Sequence, residues 1–109
     1  MNALEVKEAE SAAVAVAPRV TLQSMEDKIA AEYSFTVDKA LHGCPIMDCL
    51  KIMTICVIVM RNGFIVTGES APASPENFNP ELGRKFAREM AIRKLWGLEG
   101  YALREKLAA

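Results

Sequence analysis

His42, Cys44 and Cys49 fall within eight residues of one another, and Cys56 follows seven residues further on. Thiolate and imidazole are ligands that zinc prefers, so this group is the first place to look for chemistry. Its spacing lacks the paired, short-spaced knuckle of structural zinc sites, and Cys56 belongs to a run that reads as a buried strand. Three small thiols, buried or half-buried in the domain, are the simpler account. A catalytic cysteine–histidine pair is weaker still, because His42 is the sole histidine and stands only two residues from Cys44. One histidine in a loop supports no Ser–His–Asp set either. Gly63, Gly68 and Gly83 match neither the dinucleotide nor the phosphate-loop spacing. Carboxylates are scattered at ion-pair spacing instead of being paired on apolar ground. Binding without catalysis, with no cofactor and no metal, is the expectation.

The informative element follows Asn79. Asn79 as cap, Pro80 in the first helical position and Glu81 in the first turn announce a helix start. Arg84 and Arg88 lie one turn apart on it. Two guanidinium forks beside a helix amino terminus suit an anion, because free amides and the dipole favour negative charge there. Asn77 and Phe78 just upstream, or Phe64 at the tip of a hairpin, could complete such a site, the aromatic rings by stacking on a base. The candidate ligand-binding set is therefore Arg84, Arg88, Phe78, Asn77 and Phe64. The same arginines could equally pair with Glu81 and other surface acids. Trp96 and Tyr101, flanking Gly97, read as core or subunit-contact residues.

The elements that must position these groups begin with residues 1–19, an Ala- and Glu-rich stretch with Pro18 and no helical apolar stripe, expected to be a flexible tail or a loosely docked arm. A single α+β domain over 20–109 follows. Thr21 or Ser24 caps a helix whose stripe is Leu22, Met25, Ile29 and Tyr33. A short strand over Tyr33, Phe35 and Val37 is expected, then an irregular connection from Asp38 to Lys51 with a short helix around Met47 to Leu50. Ile52 to Arg61, Asn62-Gly63 and Phe64 to Ser70 form an antiparallel hairpin closed by a two-residue type I′ turn. In that register Val59 pairs Val66 and Val57 pairs Gly68, placing Ile55, Val57, Val59, Phe64 and Val66 on the buried face. The other face is also largely apolar, so helices are expected on one side and a subunit partner on the other. The helix from Asn79 should bury Leu82, Phe86 and Met90, stop near Gly97, and be followed by a short helix anchored by Tyr101, Leu103 and Leu107.

With 109 residues, 51% hydrophobic and 25% charged, the chain has room for one small domain and an ordinary globular balance. Its formal net charge of -1 argues against a protein held on duplex nucleic acid by phosphate neutralisation. The odd cysteine number favours a reducing compartment. The longest apolar run, Ile52 to Met60, is nine residues, about half of what a membrane helix needs. A soluble cytoplasmic protein without a membrane partner is expected.

The run Thr54 to Ser70, Pro75-Glu-Asn-Phe78, Gly83-Arg-Lys, Ala87-Arg-Glu89 and Leu98-Glu-Gly-Tyr101 resembles a small family of phage and prophage accessory proteins, the gene product 49/66 type. The resemblance implies action in the cytoplasm of an infected bacterial host, and proteins of that type commonly work by binding. Two functions follow as expectations. One is an anti-defence sponge, a homo-oligomer that sequesters an anionic nucleotide immune signal of the cyclic oligonucleotide or cyclic ADP-ribose type. The alternative is a host-takeover protein that inhibits a host or defence enzyme by direct contact.

Overall fold

The computed structural model describes residues 2–14 and 17–109. Its elements run α1 (Ala3–Val14), α2 (Leu22–Glu26), β1 (Ile29–Thr36), β2 (Thr54–Met60), β3 (Ile65–Ser70) and α3 (Pro80–Ala108). Three 3-10 turns, over Val37–Ala40, Asp48–Ile52 and Pro75–Asn77, punctuate the connections. The strands make one antiparallel sheet in the order β1-β2-β3, and α3 lies across one face of it. The architecture is α+β, as the sequence implies.

The stretch expected to be a flexible tail or a loosely docked arm is helical over Ala3–Val14, while Met1, Ala15 and Val16 of that stretch lie outside the described residues. Leu4 enters the core at 3% exposure, and the Lys7 ammonium sits 5.8 Å from the centre of the Trp96 ring. Glu8 holds the arm at its other side. It pairs with Arg19 at 2.9 Å and accepts the Leu22 backbone N–H at 3.2 Å.

Both expected caps are used, at the two ends of one box. The Thr21 hydroxyl accepts the Ser24 N–H at 2.9 Å, and the Ser24 hydroxyl accepts the Thr21 N–H at 3.2 Å. The helix they open ends at Glu26, five residues on, so the stripe divides between two elements. A shift in register between Ile29 and Ala31 turns Ile29 toward the core and leaves Tyr33 on the far face of the sheet.

The hairpin closes differently from a two-residue turn. Only Gly63 takes a positive φ, 89°, and Asn62 does not, whereas a type I′ turn needs both. The Gly63 N–H donates to the Met60 carbonyl at 2.9 Å and the Met60 N–H to the Phe64 carbonyl at 2.8 Å. Asn62 supports the loop through its side chain, which accepts the Phe64 N–H at 2.9 Å. The three-residue loop shifts the pairing by one, to Val59 with Ile65, Ile58 with Val66 and Cys56 with Gly68. With a side-chain period of two, that slip exchanges the faces. Thr54, Cys56, Ile58, Met60, Val66 and Gly68 are buried under α3, in place of the expected Ile55, Val57 and Val59.

α3 meets the sheet through its small residues. A Cβ on Gly68 would overlap the Ala87 carbonyl oxygen and come within 2.6 Å of the Ala91 nitrogen, and one on Gly83 would lie 2.6 Å from the Thr54 hydroxyl. Gly83, Ala87, Ala91, Ile92 and Leu95 form the buried stripe. Leu82 and Phe86, expected to face the hairpin, flank that contact at 45% and 49% exposure. The helix does not stop near Gly97. Gly97 and Gly100 sit inside one continuous 29-residue helix, and the expected anchors Tyr101 and Leu107 are exposed on its projecting end.

Candidate functional site

At the amino end of α3 the chain caps itself. The Asn79 side-chain oxygen accepts the Glu81 and Leu82 N–H groups at 3.0 and 3.2 Å, and its carbonyl accepts the Gly83 N–H at 2.8 Å. Pro80 has no N–H to give. The amides expected to face an anion are therefore satisfied internally, and charge recognition falls to side chains.

The two arginines have different fates. Arg88 Nε donates to Glu32 at 2.6 Å and its Nη2 to Glu26 at 2.7 Å, tying α3 to β1 and α2 at once. Burial disfavours its charge, but the hydrogen bonds to Glu26 and then Glu32 more than offset this, holding the guanidinium above its ordinary value. The acids paired with Arg88 are thus Glu26 and Glu32, brought in by the fold, and not the neighbouring Glu81. Arg84 is exposed and makes no ion pair among the described residues.

Arg84 and Phe78 line a small cavity, about 50 Å3, together with Ser34, Thr36, Thr54 and Pro80. Thr54 is 2% exposed, and its buried hydroxyl, which sits against Gly83, has no hydrogen-bond partner among the described residues. Asn77 and Phe78 also line an adjoining hollow of about 230 Å3 beside Leu82 and Phe86. Phe64 is elsewhere. It lines a cleft of about 510 Å3 between the hairpin tip and the second half of α3, with Met60, Leu95, Leu98, Lys28 and Arg61. Of the five expected ligand contacts, the structure gathers Asn77, Phe78 and Arg84 at one end of the sheet, commits Arg88 to two carboxylates, and places Phe64 at the other end. The Thr36, Ser34 and Thr54 hydroxyls were not foreseen. Their alternation on paired strands is the signal that could have found them.

The thiols are not brought together. Cys44 and Cys49 are exposed in the β1–β2 connection, while Cys56 is buried beneath α3. Burial pushes the Cys56 thiol up, which disfavours the nucleophilic thiolate. Among the described residues no three His, Cys, Asp or Glu side chains converge in a way that could hold a metal ion.

A family model described as phage protein (N4 Gp49/phage Sf6 gene 66) matches residues 20–107, the whole of the sheet and nearly all of α3. The chain belongs to this family. No curated protein and no solved structure matches it. No helix of this phage protein, among the described residues, is long and apolar enough to cross a membrane.

One further surface stands out in this member of the family. The sheet face opposite α3 carries Ala31, Tyr33 and Phe35 from β1, Ile55, Val57 and Val59 from β2, and Ile65, Thr67 and Glu69 from β3. Among the described residues no α-helix packs on it. Tyr33 is 59% and Ile65 57% exposed, and the β2 side chains between them are only half-buried.

Proposed function

We propose that this phage protein acts by binding without turnover, and that it takes a small anionic ligand at the amino end of α3. That is the behaviour of an anti-defence protein that sequesters a nucleotide immune signal of the cyclic oligonucleotide or cyclic ADP-ribose type. The observation that supports this reading is the company Arg84 keeps. Its guanidinium is not tied up in an ion pair among the described residues, Phe78 stands beside it, and the unpartnered Thr54 hydroxyl lies in the same cavity wall. An arginine fork suits a phosphate, an aromatic ring suits a base, and a hydroxyl can donate to either. Arg88, one turn away, contributes by holding α3 in place against β1.

A thermal-shift panel of cyclic dinucleotides, cyclic trinucleotides, cyclic ADP-ribose isomers and linear nucleotides tests the reading. A ligand at ~100 times its Kd adds ~2.7 kcal/mol, a rise of about 12 °C for a domain of this size. Arg84→Ala should abolish the rise while leaving the unliganded Tm unchanged. A flat panel, or a rise that survives Arg84→Ala, overturns it. The alternative, inhibition of a host or defence enzyme by direct contact, draws support from the open apolar sheet face and requires that face to be free in the isolated protein.

A further inference from the structure

The open sheet face makes a demand independent of the ligand site. Nine side chains, Glu69 alone formally charged and lying at the end of β3, cover a platform with no α-helix over it among the described residues. Among the described residues the buried hydrophobic core between α3 and the sheet holds ten side chains, two of them alanines. A chain this small buries only about 60–65% of its unfolded surface even when it folds well. This one also leaves Tyr33, Phe64 and Ile65 half or more in water.

We infer that the outer sheet face is the contact surface of a homodimer, in which the faces carrying Tyr33, Val57 and Ile65 of two copies pack against each other about a two-fold axis. Three considerations select a second copy as the occupant. The first is area. Strands ~4.8 Å apart and rising ~3.4 Å per residue make a platform about 14 by 24 Å, roughly 340 Å2 in outline, to which the relief of the exposed Tyr33 and Ile65 side chains adds. That places the contact at the small end of specific interfaces, which begin at ~600 Å2 per partner. The second is charge. The centre of the face has no ion to desolvate, so the same surface can meet itself, as a two-fold contact requires, and two sheets pack at ~10 Å with aligned twist. The third is availability. An apolar face is an aggregation hazard from the moment the chain folds, and a second copy is the partner present wherever the chain is made. Pairing of edge strands, β1 or β3 against a copy, would extend the sheet but leave this face in water, so it does not meet the demand.

The dimer has four layers, helix, sheet, sheet and helix, with Arg84 on the outer helix layer and Phe35 lining both its cavity and the contact face. Sedimentation equilibrium of the full chain from 1 to 100 µM is the test. The expected mass is twice 11.9 kDa. Val57→Asp, at the centre of the face, should shift the chain to monomer or prevent it from folding. Ile65→Lys, whose side chain already meets water in the single chain, should fold with unchanged far-ultraviolet circular dichroism and weaken dimerisation at least tenfold. Leu107→Asp, on the projecting end of α3, should leave the mass unchanged. A wild-type chain that stays monomeric at 100 µM overturns the inference, as does a dimer indifferent to Ile65→Lys or dissociated by Leu107→Asp. A monomeric wild type would return the face to the host-protein reading.

Discussion

Gly68→Ala is the sharpest test of how this domain holds together. The added methyl would land on backbone: it overlaps the Ala87 carbonyl oxygen and falls 2.6 Å from the Ala91 nitrogen, where ordinary contact starts near 3.4 Å. Neither atom can rotate away, so the middle of α3 must lift by about 1 Å. A radial gap of 0.5–1 Å forfeits roughly a quarter to a half of a dispersion contact, and Ile92 and Leu95 would lose it together against Ile58 and Val66. Overpacking of this kind costs ~1–3 kcal/mol, and the upper end applies when backbone must move. Removing a strand glycine returns ~0.4–1 kcal/mol through the unfolded chain. The expected net loss is ~2–2.6 kcal/mol. At ~2.1 cal/mol/K per residue, that lowers Tm by about 9–11 °C. Thermal and urea unfolding followed by circular dichroism measure it. Adding Ala91→Gly should not restore stability, because the contact is with main chain. A Gly68→Ala protein as stable as wild type, or rescued by Ala91→Gly, would refute the close approach of α3 to the sheet.

Gly97→Ala and Gly100→Ala should each raise stability by up to ~1 kcal/mol, since both lie inside α3, neither has a positive φ, and a Cβ at either position meets no atom within 4 Å. Arg88→Ala should destabilise by ~1–2 kcal/mol by leaving Glu26 and Glu32 facing each other on a partly exposed site, a loss that urea unfolding at pH 7 reports and that shrinks in acid. Phe86→Ala, with half of its ring already in water, should cost ~1–2 kcal/mol by the same measurement, well under the ~3–5 kcal/mol of a fully buried phenylalanine. Glu8 is held below its usual value chiefly by the Arg19 hydrogen bond, with the Leu22 N–H assisting. A lowered carboxyl contributes fully above the ordinary carboxylate range and loses that contribution as pH falls below about 4. Protection factors in α1, corrected for the intrinsic pH dependence of exchange, should therefore fall in acid sooner than those in β2, and uniform behaviour of the two would exclude the Glu8 clasp.

Much of this could be read from residue types alone, and the failures have identifiable physical causes. Asn79-Pro80-Glu81 and Thr21 with Ser24 are local signals, and local signals were enough for both helix starts. The α+β class followed from a β-branched run beside a capped helical one. Gly97 misled because a glycine after a tryptophan resembles a helix end, yet nothing downstream takes the left-handed conformation that would stop the chain. The stripe from Leu22 to Tyr33 misled because spacings of three and four also arise when a short helix feeds a strand with an early bulge. At the candidate site, Asn77, Phe78 and Arg84 are near in sequence and come together. The fate of Arg88 was invisible, because Glu26 and Glu32 reach it from 62 and 56 residues away.

The hairpin turn shows how far one local choice propagates. Had Asn62 taken a positive φ, the two-residue loop would have put Val57 and Val59 under α3 and turned Cys56, Ile58 and Met60 outward. Gly68 would have stayed on the helix side, paired there with Val57 instead of Cys56. With Asn62 spending its side chain on the Phe64 N–H and Gly63 alone at a φ of 89°, Cys56 sits beside Gly68 under the alanines of α3. The same slip delivers Val57 and Val59 to the open face, beside Ile65 and Tyr33. The β2 residues that meet the helix and the β2 residues left on the open face are therefore two consequences of a single loop. A substitution that lengthened or shortened that loop by one residue should damage the core and the open face together.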